Sequence, residues 1–428
     1  MNAYLILANG MIFKGEAFGA KGVVMGETVF TTGMNGYLET LTDPSFYGQI
    51  VTQTFPLIGN YGVIPKDFES GGCHVRAYIV RDMCEAPSNF RCEGNLNDWL
   101  TKNNIIGLKG IDTRALTKVL RESGVMNGMI VSGDSDEAKE VMKAFGLKKK
   151  DSFSRSGTIF QNKLCDKAEE ILIRIRNYTI VDAVKNVTGS ASFIEESADE
   201  VFMESSEYRF VPVKSDGTKI YDQKIAMKAG KGKKVVLWDF GAKANIRREL
   251  LKRGLEVITV SGLATAKDIM ALNPDGIMLS NGPGDPKENI GIISEIKKLI
   301  KAKIPIFGIC LGHQLLALAS GADTEKLKYG HRGPNQPVKY LETGRVYIST
   351  QNHGYAVKND SLPKGAKLSF INTNDGTCEG IRYTKFPAFS VQFHPEACAG
   401  PLDTSFLFDD FVKLINETGR CGVSPQKG

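Results

Sequence analysis

The chain of 428 residues contains no apolar run of about 18 residues, the shortest that crosses a membrane as a helix. Its first residues show no basic segment followed by a long apolar core, so no secretory leader is indicated. Eight cysteines are present, but none forms a CxxC pair, and their wide spacing is unlike the disulfide framework of a small secreted protein. These absences predict a soluble, cytoplasmic protein with free thiols and no membrane association.

Motifs for phosphate and metal binding are missing as well. The sequence has no GxxxxGK[ST] phosphate loop, and its five histidines and its cysteines fit no zinc-binding spacing. The net charge of +6 lies partly in short lysine runs, at 148–150 and 228–234, which are typical of solvated segments. We therefore expect no metal, no cofactor and no nucleic acid bound to this chain.

The length suggests two or three domains. Residues 1–145 alternate short apolar runs with Gly, Pro and Asn turns, which predicts a strand-rich N-terminal domain. A helix is predicted at Thr113–Ser123, with Asp112 as its N-cap. Residues 146–232 are rich in Lys, Ser, Glu and Asp and have weak periodicity, so we interpret them as a linker and insertion with one short helix at Asp166–Ile175.

A regular alternation of strands and helices begins at residue 233 and extends to about residue 420. This pattern predicts an α/β domain with a doubly wound, mostly parallel sheet. In such sheets ligands bind beyond the carboxyl ends of the strands. Three loops should meet at that edge: Gly241–Lys243, Asn281–Pro286 and Cys310–Gly312.

Cys310 stands between a predicted strand, Ile304–Ile309, and a predicted helix, Leu315–Ala319. Gly308 and Gly312 flank it in a G-x-C-x-G spacing, the cysteine counterpart of the serine nucleophile elbow. A thiol at a helix N-terminus is favoured as thiolate by the partial positive charge of the helix. An isolated cysteine on a buried strand would more often be structural, but the two glycines favour a nucleophile.

The best candidate for a base follows another predicted strand, Ala388–Phe393, in the sequence His394-Pro395-Glu396. In extended backbone, residues i and i+2 point to the same side, so the Glu396 carboxylate can reach the His394 ring. A carboxylate on one ring nitrogen leaves the other nitrogen to face a thiol. Alone, this tripeptide would more often be a surface turn.

The segments GICLGHQLLALA, NGPGDP and FHPEA together resemble class I glutamine amidotransferases, which use a Cys-His-Glu triad. The wider match includes DFGAKANI, QNHGYAV, TGMNGYLETLTDPSFYGQIV and IDTRALTKVLRESG, and it resembles the small subunit of carbamoyl-phosphate synthase. The resemblance covers most of the chain outside 146–232, which is longer than the corresponding region usually is in this family.

The resemblance implies a set of site residues. Cys310, His394 and Glu396 would be the catalytic triad, and the amides of Gly284 and Leu311 would form the oxyanion hole. The glutamine substrate would be bound by eight residues: Ser45, Gly282, Gly284, Leu311, Gln314, Asn352, Gly354 and Tyr355. Tyr355 stands where the family often has Phe. His353 is a second candidate near the site, with a structural histidine as the equal alternative.

The implied activity is glutamine hydrolysis through a cysteine thioester, with the ammonia passed to a large synthetase subunit. That partner would use ATP and bicarbonate to make carbamoyl phosphate for pyrimidine and arginine biosynthesis, in a heterodimer or a higher oligomer. Two alternatives stay open at this stage. One is a stand-alone cysteine peptidase or gamma-glutamyl hydrolase, and the other is a pseudo-amidotransferase that only regulates its partner.

Overall fold

A computed structural model describes residues 1–148, 158–159, 165–189, 194–196, 230–397 and 399–418. Much of the segment predicted as linker and insertion therefore lies outside the described residues. The chain forms two compact units. The first comprises Met1–Ala183 and Leu327–Asn335, and the second comprises Val184–Lys326 and Gln336–Gly428.

The first unit is built mainly of strands. Its strands are β1 (Asn2–Leu7), β2 (Ile12–Gly19), β3 (Val23–Thr31), β4 (Gln49–Gln53), β5 (Leu57–Ile58), β6 (Ala77–Ile79), β7 (Asp82–Met83), β8 (Ile106–Lys109), β9 (Met126–Ser132) and β10 (Thr158–Ile159). Its helices are α1 (Tyr37–Thr42), α2 (Leu96–Lys102), α3 (Thr113–Ser123), α4 (Asp136–Ala144) and α5 (Asp166–Arg176), with 3-10 turns at Pro44–Phe46 and Pro65–Asp67.

The strand-rich character predicted for the N-terminal region is confirmed. The main sheet has the order β1-β9-β3-β4-β6-β8-β2-β10, and β1 pairs with β2 as well as with β9. The strands from β1 to β2 therefore close into a ring, which removes the exposed edges that an open sheet would have. Strands β5 and β7 form a separate pair.

Helices α3 and α5 of this unit were both predicted from the sequence. Helix α3 has the predicted bounds, and the Asp112 side chain accepts a hydrogen bond from the Ala115 amide as its N-cap. Helix α5 lies in the region that we interpreted as linker and insertion. Its apolar residues, among them Ile171 and Ile175, are buried in one cluster with Tyr4 and Met129. This helix is therefore part of the core of the first unit.

The second unit alternates strands and helices. Its strands are β11 (Ile194–Glu196), β12 (Lys234–Asp239), β13 (Glu256–Ser261), β14 (Gly276–Leu279), β15 (Ile306–Ile309), β16 (Thr324–Tyr340), β17 (Val346–Val357), β18 (Ala366–Asn372), β19 (Cys378–Tyr383) and β20 (Ala388–Val391). Its helices are α6 (Ala183–Val187), α7 (Ala244–Leu251), α8 (Ala266–Ala271), α9 (Ile290–Ala302), α10 (Leu311–Ser320) and α11 (Phe406–Thr418), with 3-10 turns at Pro286–Glu288 and Asn359–Ser361.

The sheet of the second unit has the order β11-β13-β12-β14-β15-β20-β19-β18-β16-β17. The strands from β13 to β20 in this order run parallel to one another. On either side of this parallel core the pairing becomes antiparallel, at β11 and at β19. The predicted doubly wound sheet is confirmed, and its antiparallel extension is an addition to the sequence analysis.

Helices cover both faces of the parallel core because alternate strand residues point to opposite faces. Val236 and Trp238 of β12 lie in an apolar cluster with residues of α8, α9 and α10. Val235 and Leu237 lie in the opposite cluster, with residues of α7 and α11. The carboxyl ends of β12, β14, β15 and β20 consequently share one edge of the sheet. Among the described residues, no helix combines the length and the apolar character that crossing a membrane requires.

One buried cation joins α7 to α11. Arg253 is 1% exposed, and its guanidinium donates to both carboxylate oxygens of Asp409, at 2.8 and 3.0 Å. It also donates to the Glu249 carboxylate at 2.8 Å and to the Ser405 carbonyl at 2.9 Å. A buried charge of this kind is tolerated because opposite charges and hydrogen bonds surround it.

We predict that Arg253→Ala destabilises the second unit by about 2–3 kcal/mol, because the buried hydrogen bonds of the guanidinium to Glu249, Asp409 and Ser405 are lost. Thermal unfolding of the chain measures the change. Lys297→Ala, on the exposed face of α9, is the control and should leave the transition within about 0.5 kcal/mol of the unaltered chain. Equal transitions for both variants would contradict a structural role for the Arg253 pairs.

Candidate functional site

Cys310 forms a sharp turn between β15 and α10. Its φ of 52° and ψ of −104° place a non-glycine residue in a region that L-amino acids rarely adopt. A Cβ atom on Gly312 would stand 2.3 Å from the Leu279 carbonyl oxygen, and one on Gly308 would stand 2.9 Å from the carbonyl of Gly312. Only glycine fits at these two positions, so the G-x-C-x-G spacing has a steric cause. The predicted helix begins earlier than expected, at Leu311.

The surroundings of Cys310 are well defined. Its amide donates to the Val391 carbonyl at 2.9 Å, which fixes the turn to strand β20. The Sγ atom lies 3.7 Å from the Asn352 carbonyl oxygen, and the residue is 3% exposed. The thiol stands at the N-terminal end of α10, where the helix dipole favours a negative charge.

His394 and Glu396 form a buried pair. His394 Nδ1 lies 2.7 Å from Glu396 Oε1, and the two residues are 0% and 1% exposed. An ionised carboxylate only accepts hydrogen bonds, so His394 Nδ1 carries a proton and donates it to Glu396. His394 Nε2 is buried and has no hydrogen-bond partner among the described residues. The geometry therefore presents Nε2 as a proton acceptor.

The charge of Glu396 is maintained by its neighbours. Burial raises the pKa of the Glu396 carboxyl, but the adjacent His394 ring, which donates a hydrogen bond to it, and the Lys243 ammonium together lower it below its ordinary value. Lys243 Nζ is 3.6 Å from Glu396 Oε1, and Lys243 is 7% exposed. Asn245 donates from its side chain to the Glu396 carbonyl. Glu396 is thus ionised and fixed at both its carboxylate and its backbone.

The loop after β12 positions Lys243. Asp239 Oδ1 accepts hydrogen bonds from the amides of Gly241 and Ala242, at 2.8 and 2.7 Å. The Lys243 amide then donates to Asn281 Oδ1 at 3.0 Å, which joins this loop to the one after β14. No function was predicted for Lys243 from the sequence. The feature that could have identified it is its place in DFGAKANI, in the loop after the buried strand β12.

The strand order brings Cys310 and His394 to one place. Cys310 follows β15 and His394 comes shortly after β20, and these strands are parallel neighbours with Ile309 opposite Val391. Strand β17 contacts both residues. The His394 amide donates to the Thr350 carbonyl at 2.9 Å, two residues before Asn352, whose carbonyl lies near Cys310 Sγ.

The predicted oxyanion residues lie on neighbouring elements of the second unit. A Cβ atom on Gly282 would stand 2.3 Å from the Phe240 carbonyl oxygen, and Gly284 has a φ of 90°. The Gly312 amide donates to the Ser280 carbonyl at 3.0 Å, which ties the glycine loop to the start of α10. Leu311 is the first residue of α10, and the first amides of a helix have no acceptor within it.

The other predicted glutamine ligands of this unit lie on α10 and β17. Gln314 is buried, and its Nε2 donates to the Tyr355 carbonyl at 2.8 Å and to Gln392 Oε1 at 2.9 Å. Asn352, Gly354 and Tyr355 belong to β17. Gln392 could not be predicted from the sequence, because only the fold places it beside Gln314.

Ser45 and His313 have hydrogen-bond partners of their own. Ser45 belongs to the first unit, where its amide donates to Asp43 Oδ1 at 2.9 Å in the 3-10 turn Pro44–Phe46. His313 follows Cys310 closely in the sequence, but its Nδ1 lies 2.8 Å from Ser390 Oγ in the core. Burial lowers the pKa of His313 to about 3, so its ring is neutral and structural.

Two parts of the chain match known protein families. The sequence profile of the class I glutamine amidotransferases matches residues 236–414, and that of the CPSase domain of the carbamoyl-phosphate synthase small chain matches residues 5–130.

Proteins named carbamoyl phosphate synthase small chain are similar over almost the whole length. The one from Syntrophotalea carbinolica is 45% identical and covers 97% of this chain and 98% of its own. Those from Clostridium perfringens and Bacillus cereus are each 44% identical, over 96% and 97% of this chain and 99% and 96% of their own. The chain therefore belongs to the carbamoyl-phosphate synthase small chain family.

Proposed function

We propose that this chain is the glutamine-hydrolysing subunit of a carbamoyl-phosphate synthase, and that Cys310, His394 and Glu396 are its catalytic triad. The observation that carries the proposal is the combination of a strained cysteine at a helix N-terminus with a buried His-Glu pair on the adjacent strand. The Nε2 atom of His394 is buried and has no hydrogen-bond partner among the described residues, so it is available to exchange a proton with the thiol. This is the arrangement that activates a thiol for nucleophilic attack.

In the first step, the Cys310 thiolate attacks the side-chain amide carbon of glutamine and a tetrahedral intermediate forms. His394, which holds the thiol proton on Nε2, donates it to the departing ammonia and leaves a glutamyl thioester. A water molecule deprotonated by Nε2 then attacks the thioester. Glutamate leaves, and the proton returns to Cys310.

The other residues bind substrate or stabilise charge. The amides of Gly284 and Leu311 donate to the oxygen that becomes negative in the intermediate, and each such donor typically contributes about 10²- to 10³-fold to kcat. The glutamine site of the second unit is completed by Gly282, Gln314, Asn352, Gly354 and Tyr355. Tyr355 faces Gln314 through its backbone carbonyl. Its hydroxyl group, which the Phe usual at this position lacks, is therefore not required for binding.

A chain that releases ammonia but cannot use ATP needs a partner that consumes the ammonia. The sequence contains no phosphate loop, so we assign ATP and bicarbonate to a large synthetase subunit and no cofactor to this chain. We assign residues 1–145 to the small-subunit domain and 233–420 to the amidotransferase domain, and 146–232 to a connecting segment whose helix α5 packs in the core of the first unit. The complex acts in the cytoplasm and supplies carbamoyl phosphate to pyrimidine and arginine biosynthesis.

We expect Cys310→Ser to abolish carbamoyl phosphate synthesis from glutamine and to retain synthesis from added ammonia, since only the ammonia source is lost. The assay compares the two nitrogen sources with the large subunit, ATP and bicarbonate present. Unchanged glutamine-dependent synthesis would exclude Cys310 as nucleophile. Full activity of the unaltered chain alone on gamma-glutamyl peptides would favour a stand-alone hydrolase instead.

We expect Glu396→Gln to lower kcat for glutamine hydrolysis by about 10³- to 10⁴-fold, because an amide can hold His394 in the wrong tautomer. Glu396 has a lowered pKa, so the stability that its charge contributes is present above the ordinary carboxyl pKa and is lost as the pH falls through the lowered value. Glu396→Gln should therefore unfold with a weaker dependence on acid pH than the unaltered chain. Retention of full kcat would contradict an orienting role for this carboxylate.

A further inference from the structure

His353 lies in the centre of the proposed glutamine-binding segment, but it is buried and the proposed mechanism does not use it. The residue is 5% exposed, between Asn352 and Gly354 on β17. Both of its ring nitrogens make hydrogen bonds within the second unit. Nδ1 lies 2.8 Å from the Tyr355 carbonyl oxygen, and Nε2 lies 3.0 Å from Gln351 Oε1.

A chain of hydrogen bonds fixes which atoms donate. The Ser349 hydroxyl donates to the Gln336 carbonyl at 2.9 Å, so its oxygen can only accept from Gln351. Gln351 Nε2 supplies that hydrogen bond at 3.3 Å. The Gln351 amide is thereby oriented with Oε1, a pure acceptor, facing His353.

Both partners of the His353 ring are therefore acceptors. A carbonyl oxygen and an amide oxygen accept hydrogen bonds and donate none, so each ring nitrogen must carry a proton. A ring with two N–H groups is an imidazolium. A carboxyl group lies beside this ring: Glu379 is 0% exposed, and its Oε1 is 3.9 Å from His353 Nε2, which is within ion-pair distance of a charged ring.

We propose that Glu379 is a positioning residue that holds His353 as an imidazolium beneath the glutamine site. The backbone of Glu379 is also fixed, because its carbonyl accepts a hydrogen bond from the backbone amide of Gln392 at 2.9 Å. The charged ring fixes the Tyr355 carbonyl, which also accepts from Gln314. Glu379 thus acts on the substrate-binding segment without touching the substrate. This inference rests on the proposed function.

The expected effect is on binding rather than on chemistry. Loss of the Glu379 charge lets His353 become neutral, and the segment from Asn352 to Tyr355 then loses one of its fixed hydrogen bonds. An interaction that is equal in ground state and transition state changes KM and leaves kcat nearly unchanged. Glu379→Gln should raise KM for glutamine on the order of tenfold, within the range of couplings between contacting residues.

The test has two parts. Long-range proton–nitrogen spectra of the unaltered chain with ¹⁵N-histidine should show protons on both ring nitrogens of His353 at neutral pH, with His353→Asn identifying the signal. A His353 ring with one unprotonated nitrogen would overturn the proposal. This measurement requires no activity and no variant of Glu379, so it separates the inference from the proposed function.

The second part is steady-state glutamine hydrolysis by Glu379→Gln, with Glu256→Gln on the exposed side of β13 as the matched control. The expected result is a raised KM, a kcat within about threefold, and no change in the control. An unaltered KM for Glu379→Gln in a chain that hydrolyses glutamine would overturn the inference alone. Absence of hydrolysis by the unaltered chain would instead count against the proposed function.

Discussion

The site depends on the backbone of Cys310, which is held in a left-handed conformation where two glycines leave room for it. The turn is possible because Gly312 lies against the Leu279 carbonyl and Gly308 lies against Gly312. Strain of this kind costs on the order of 1–3 kcal/mol, and it persists only where the surrounding structure supports it. Here the support is the parallel sheet, through the hydrogen bonds of Cys310 to Val391 and of Gly312 to Ser280.

The same sheet explains why the charged residues can be buried. Glu396 receives the His394 ring from its own segment, and the Lys243 ammonium and the Asn245 amide from the segment that follows β12. Each contact comes from the carboxyl end of a strand or the residues just after it. A buried carboxylate without such neighbours would take up a proton, and His394 would lose its orientation. The ion pairs thus determine the protonation states on which the proposed chemistry relies.

Much of this arrangement was visible in the sequence. The G-x-C-x-G spacing and the His-Pro-Glu tripeptide are local patterns, and the Asp112 cap and apolar spacing gave the bounds of α3. Lys243, Asn245 and Gln392 were not identified, because their partners lie far away in the sequence and only strand order brings them together. Helix α5 was assigned to a linker for the same reason. Its polar face dominated the composition, while its buried face packs on β1 and β9.

The central claim is that Cys310 forms a covalent thioester with the glutamyl group of glutamine. Rapid acid quenching after mixing the chain with glutamine labelled in its carbon skeleton tests it directly. Label is expected on the peptide that contains Cys310; hydroxylamine should release it, and it should be absent in Cys310→Ala. Hydrolysis of glutamine with no label on that peptide, or with label on another residue, would contradict it.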